Sequence, residues 1–166
     1  SLVLPNITFI DYVDDIVRVV EKETAQALED MFRAAEQDGI ILYGMSGYRS
    51  YNIQSALYSK NVKSKGKAHA ARYSAEAGAS EHQTGLAMDV VSSDYKTLRT
   101  GFENTEAFKW LQDNCYKYGF ILRYPNGKEE ITGYAYEPWH YRYVGLPHSE
   151  TITKNNLTLE EYLKSY

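Results

Sequence analysis

The chain has few of the features that classify a sequence at once. Cys115 is its only cysteine among 166 residues, so no internal disulfide can form and a metal site built from several thiolates is excluded. Cys115 itself is expected as a small apolar residue buried in a helix. No stretch of 18 apolar residues occurs, so nothing within the chain is expected to span a membrane. A net charge of -4 argues against general nucleic-acid binding. Internal repeats, low-complexity runs and linkers are also lacking. What remains is ordinary in bulk, 43% hydrophobic and 24% charged, and long enough for one domain with a sizeable core. Only the sixteen tyrosines stand out. Tyr134 and Tyr136 alternate, as do Tyr141 and Tyr143, which predicts strand faces with their polar tips toward water or substrate.

In chain order, apolar positions at helical spacing run from residue 11 to about 37, closed by Asp38-Gly39, although the first third also reads as an irregular lead-in. Residues 40–45 read as a buried strand. Ser46-Gly47-Tyr48-Arg49 then turns off its end, and Ser50 is placed to cap a helix through Val62. Lys60 to Lys67 reads as a solvated loop and residues 68–77 as a short helix, with His69 on the surface. Leu86 to Val91 is a second strand. A helix from Asn104 or Thr105 to about Tyr118 follows, then a strand over 120–124. Pro125-Asn126-Gly127 is expected to open a hairpin, with strands at 131–133 and 139–144. Thr158-Leu159-Glu160-Glu161 is a capping box opening a terminal helix. The pattern predicts an α+β domain with a mainly antiparallel central sheet flanked by helices. A metal site is expected in a cleft on that sheet.

The chemistry centres on Ser80-Glu81-His82-Gln83-Thr84-Gly85-Leu86-Ala87-Met88-Asp89. Asp89 is a carboxylate inside an apolar run, and burial there requires a cation, strong donors or a raised pKa. His82 lies seven residues earlier, up to about 23 Å away if extended. Gly85 between them lets the chain turn back, because it accepts backbone conformations other residues avoid. His140, in the aromatic run Trp139-His140-Tyr141, supplies a second imidazole. Two imidazoles and one carboxylate suit a catalytic zinc ion, with its fourth position left for water. Calcium or magnesium would favour more oxygen ligands. Glu137, three residues before His140, is the natural general base for that water. Strict strand alternation would set Glu137 and His140 on opposite faces, so a bulge or twist at Pro138 is needed to reconcile them.

Ser-x-His-x-x-Gly-x-Ala-x-Asp at 80–89, Ser-Gly-Tyr-Arg at 46–49 and Glu-Pro-Trp-His at 137–140 resemble the zinc D-alanyl-D-alanine carboxypeptidase family, including the VanY and VanXY enzymes of vancomycin resistance. The likeness runs from about Gly39 onward, so residues 1–38 read as a helical lead-in to a motif-bearing core over 39–166. It implies that His82, Asp89 and His140 bind Zn2+ and that Glu137 is the catalytic base. It also implies that Arg49 stabilises the oxyanion, and that Ser80 and Gln54 hold the substrate's terminal carboxylate. The implied activity is hydrolysis of D-Ala-D-Ala, as the free dipeptide or at the end of a peptidoglycan stem peptide. An L,D-carboxypeptidase trimming the tetrapeptide stem carries the same motifs, and so could a noncatalytic zinc-stabilised cell-wall binding module. A VanXY-like enzyme would be cytoplasmic; a VanY-like one would lie outside the bacterial membrane, anchored by a segment beyond this stretch.

Overall fold

The computed structural model describes residues 1–165. The fold is a single α+β domain built on a four-stranded antiparallel sheet. In chain order its elements are β1 (Leu2–Val3), β2 (Val20–Glu21), α1 (Lys22–Gln37), β3 (Leu42–Ser46), α2 (Tyr51–Lys65), α3 (Lys67–Tyr73), β4 (Ala87–Ser92), α4 (Glu106–Asn114), β5 (Phe120–Leu122), α5 (Glu129–Thr132), β6 (His140–Tyr143), α6 (His148–Lys154) and α7 (Leu159–Ser165). The sheet runs β3-β4-β6-β5, while β1 and β2 form a separate two-stranded ribbon. Among the described residues no helix is long and apolar enough to cross a membrane.

Side chains alternate across the sheet, and the alternation divides packing from chemistry. Met88 pairs with Tyr141 and Leu122 with Tyr141 in the ladder. Both Met88 and Tyr141 are fully buried against Leu28, Met31 and Phe32 of α1 and Leu111 of α4. One residue along, Asp89 faces His140 and Ala87 faces Arg142, on the other side of the sheet. The first side is the hydrophobic core. The second carries charge, and the site.

Several expectations need correction. Of the two readings of the segment from residue 11, the irregular lead-in holds and the helix begins only at Lys22, because Asp14 caps a short 3-10 turn over 15–17 and Val20 is committed to pairing with β1. No loop separates Lys60 from Lys67; lysine is a good helix former, so α2 continues to Lys65 and breaks only at Gly66, with φ of +89°. Residues 131–133 form no strand. Ile131 and Thr132 lie in α5, which ends at Gly133, so the turn at 125–127 leads into a helix and Tyr134 and Tyr136 stand outside any strand. The helix from Thr105 tightens into a 3-10 turn at Cys115–Tyr118 and stops at Gly119; Cys115 is buried there, its thiol pushed up to about 12 by desolvation. The caps hold as expected. Ser50 Oγ accepts from the Ile53 amide, and Thr158 and Glu161 bond each other's amides.

The first 21 residues do more than lead in. Phe9, Ile10, Val13 and Val20 are core residues. Gly47 and Tyr48 donate to the carbonyls of Val17 and Val19, and Glu21 donates to that of Gly85. The lead-in thus pins both turns that carry Arg49 and His82. A Cβ on Gly47 would stand 2.7 Å from the Val19 carbonyl oxygen, so glycine is required for that approach.

Candidate metal centre

Three separate elements bring His82, Asp89 and His140 together. Asp89 and His140 are directly opposed in the β4–β6 ladder, so their side chains share one face at the short range of a cross-strand pair. His82 arrives on a 3-10 turn over Glu81–Thr84, whose end at Gly85 takes φ of +78° and reverses the chain into β4. Ser80 caps that turn, its Oγ accepting from the His82 amide at 3.2 Å. All three ligand candidates are buried, and one ligand atom from each falls within 4.8 Å of the others.

The donor set fits a metal. The Gly47 carbonyl lies 2.7 Å from His82 Nδ1 and can only accept, so Nδ1 carries the proton. Burial, together with the charges of Arg49 and His140, outweighs the pull of Asp89 and lowers the His82 pKa; the ring is neutral with a bare Nε2. That lone pair stands 3.3 Å from Asp89 Oδ1 and has no hydrogen-bond partner among the described residues. Two buried acceptors aimed at each other are costly unless a cation lies between them. His140 Nδ1 is 3.4 Å from the same carboxylate oxygen. Ligands held at 2.0–2.2 Å around a tetrahedral ion are separated by about 3.3–3.6 Å, a range that both contacts to Asp89 Oδ1 match, while the two imidazole nitrogens lie within 4.8 Å of each other.

Protonation answers to the same geometry. Burial raises the Asp89 pKa, but the two imidazoles lower it further, and the carboxylate is ionised. Burial works to lower the His140 pKa; hydrogen bonds with Asp89, Glu137 and Glu81 overcome it and raise the value well above normal. With no metal bound, His140 therefore holds a proton on the nitrogen that a metal would take.

Glu137 and His140 meet without a bulge. Pro138-Trp139 forms a turn in which the His140 amide donates to the Glu137 carbonyl at 3.2 Å, and β6 starts only at His140. The turn folds Glu137 back, so that its Oε1 lies 3.4 Å from His140 Nδ1. Both line a cleft of about 230 Å³ with Arg49, Gln54, Ser80 and Trp139. Arg49 stands between β3 and α2, as its position after the strand predicts; its amide donates to the His82 carbonyl, and its buried Nε has no partner among the described residues. Gln54, almost wholly buried, donates to the Ala75 carbonyl and leaves Oε1 unpartnered. His69 and His148 are exposed and do not line the cleft; His69 stacks on Tyr73, and His148 meets Tyr162 edge-on.

Sequence reasoning missed Glu81. Its Oε1 is 2.7 Å from His140 Nε2, and its Oε2 accepts from Arg123 at 2.9 Å and Arg142 at 3.0 Å. The available signal was two arginines set within apolar strand-forming runs, Phe120–Tyr124 and Tyr141–Val144, since buried cations require carboxylates.

Comparison with known proteins agrees with this geometry. The chain is 48% identical over 170 residues to the putative carboxypeptidase YodJ of Bacillus subtilis, covering 99% of this chain and 60% of YodJ, so it spans less than two thirds of that relative. It resembles the structure of the LD-carboxypeptidase LdcB with a TM-score of 0.92 and 49% identity, over 98% of this chain and 77% of that one. A mutant of the vancomycin-resistance D,D-pentapeptidase VanY, solved with Zn(II), matches with a TM-score of 0.78 and 34% identity, over 96% of this chain and 89% of that one. Residues 17–146 match the family profile described as "VanY: D-alanyl-D-alanine carboxypeptidase", and the chain belongs to that family of peptidases.

Proposed function

We propose that this domain is a zinc-dependent carboxypeptidase that removes the terminal D-alanine of peptidoglycan stem peptides. The observation that carries this is the set of three buried ligand atoms within 4.8 Å of one another, with Glu137 beside it on an open cleft. Zinc held by His82, Asp89 and His140 would supply Lewis-acid chemistry there, activating a water and polarising the scissile carbonyl.

The chain's own groups supply the rest. Glu137 takes the proton of the attacking water and passes it to the departing amine of D-alanine. Arg49 places a fixed cation where the oxyanion develops, an interaction of about 2.7–4 kcal/mol in a water-poor site. The hydroxyl of Ser80 still has a proton to donate after accepting from the His82 amide, and Gln54 has one N–H beyond that given to Ala75; both are set to bind the terminal carboxylate. The presence of Glu137 and Arg49 on the cleft argues against a binding module without catalysis.

Within this reaction we favour the L,D bond of the tetrapeptide stem, since the LdcB LD-carboxypeptidase resembles this chain at a TM-score of 0.92, against 0.78 for the D,D-pentapeptidase. The motif-level resemblance had put D-Ala-D-Ala ends first, and the family profile keeps that reading as the rival. Release of D-alanine from tetrapeptide, pentapeptide and free D-Ala-D-Ala separates them. The tetrapeptide should give the highest kcat/KM. Preference for either D-Ala-D-Ala end would reverse the order, and no release from any of the three by the zinc-loaded protein would end the peptidase assignment for this site.

A further inference from the structure

A chain of ion pairs runs from the metal centre to the C-terminal helix. His140 Nε2 meets Glu81 Oε1 at 2.7 Å. Glu81 Oε2 accepts from Arg123 Nε at 2.9 Å and from Arg142 Nη1 at 3.0 Å. The two remaining nitrogens of Arg123 form a bidentate pair with Glu160 of α7, at 2.9 and 2.8 Å. The side chains of Glu81 and Arg123 are 9% and 11% exposed, so these contacts are little screened. Burial raises the Glu81 pKa, yet His140, Arg123 and Arg142 together lower it well below the carboxylate range.

We propose that Glu81 is a positioning residue for the metal ligand His140, held in turn by Arg123, Arg142 and, through Arg123, by Glu160. The inference rests on the zinc reading of the centre. A carboxylate on Nε2 fixes the imidazole tautomer and leaves Nδ1 free to coordinate. A free carboxylate this close to a cation would itself compete for it. The two arginines prevent that by engaging Oε2 and holding Glu81 in its role as acceptor. Glu81 and His82 are consecutive on one 3-10 turn, so a single local structure supplies one ligand and orients another.

The test is zinc affinity, measured by competition with a chromogenic chelator on metal-free protein, in the wild type and in the Glu81→Ala, Glu81→Gln and Glu160→Gln variants. Thermal unfolding of each metal-free form is recorded alongside. Glu81→Ala should weaken zinc binding about 10–100-fold. Glu81→Gln keeps an acceptor for His140 and should lose less. Glu160→Gln, separated from the metal by His140, Glu81 and Arg123, should weaken binding measurably, by up to about tenfold. In the zinc-loaded wild type the His140 Nε2–H should give a slowly exchanging proton resonance that Glu81→Ala abolishes. Unchanged zinc affinity in Glu81→Ala, even with a lowered melting temperature, would overturn the proposal and leave Glu81 a folding residue. Should Glu81→Ala not fold, Glu160→Gln decides: weaker zinc supports the relay, and unchanged zinc refutes it. A wild type that binds no zinc removes the metal reading and the proposal with it.

Discussion

The two walls of the cleft are built on opposite terms. On one side β4 is buried along its whole length, and its site residues are gripped by neighbouring strands, by the 3-10 turn of His82 and by the lead-in. On the other, α2 buries only Gln54 and α3 only Ala70, and the two helices meet at Gly66 with lysines facing solvent. Groups that perform chemistry must hold position within a fraction of an ångström, which dense packing ensures. A wall that receives a substrate can be thinly packed and still serve. The contrast implies that substitutions on the sheet side strike metal and rate, whereas those on the helical side strike substrate affinity.

The largest effect should come from a ligand. Asp89→Ala removes the carboxylate shared by both imidazoles, so metal analysis should find no bound zinc and D-alanine release should fall to background. Next, Glu137→Ala should cost about 10²–10⁴ in kcat with zinc content unchanged, since general-base groups contribute that much; unchanged turnover would remove the base assignment. Arg49→Met follows at about 10²–10³ in kcat. If KM rises instead and kcat holds, Arg49 binds substrate and does not stabilise the transition state.

A pH titration sharpens the same contrast. The raised pKa of His140 means that zinc must displace a proton from it, so affinity should fall as pH drops below that raised value, by up to about tenfold per unit for one proton. Chelator competition between pH 6 and 8 reads this directly, and a flat profile would contradict it. The smallest effect belongs to the helical wall. Leu57 lines the cleft but is 40% exposed, so Leu57→Ala should change stability by roughly 0.5 kcal/mol or less and act through KM alone. A fall in zinc content with that variant would break the division between the walls.

Much of the site was legible because its groups lie in contiguous motifs. Ser80 to Asp89 and Glu137 to His140 carry their spacing on their face. Sequence could not show the β4–β6 register, which places Asp89 opposite His140, since pairing partners 51 residues apart leave no local mark. Nor could it show the turn at Pro138-Trp139 that resolves the conflict of faces. Glu81 escaped notice for a different reason: its partners, Arg123, His140 and Arg142, lie 42 to 61 positions away and converge only in the fold. In the fold itself, long periodic helices and caps were readable, while residues 131–133 were not; β-branched Ile131 and Thr132 favour a strand, but α5 is four residues held by tertiary packing. The lead-in failed similarly, because its service to the turns at Gly47 and Gly85 is through backbone bonds to which side-chain identity is blind.

The most direct trial of the central claim is D-alanine release from the tetrapeptide stem by one preparation, measured as purified, after chelation, and after stoichiometric zinc is returned. Activity should vanish with the metal and return at one zinc per chain. Undiminished release by protein shown to be free of metal would contradict the claim that His82, Asp89 and His140 work by holding an ion.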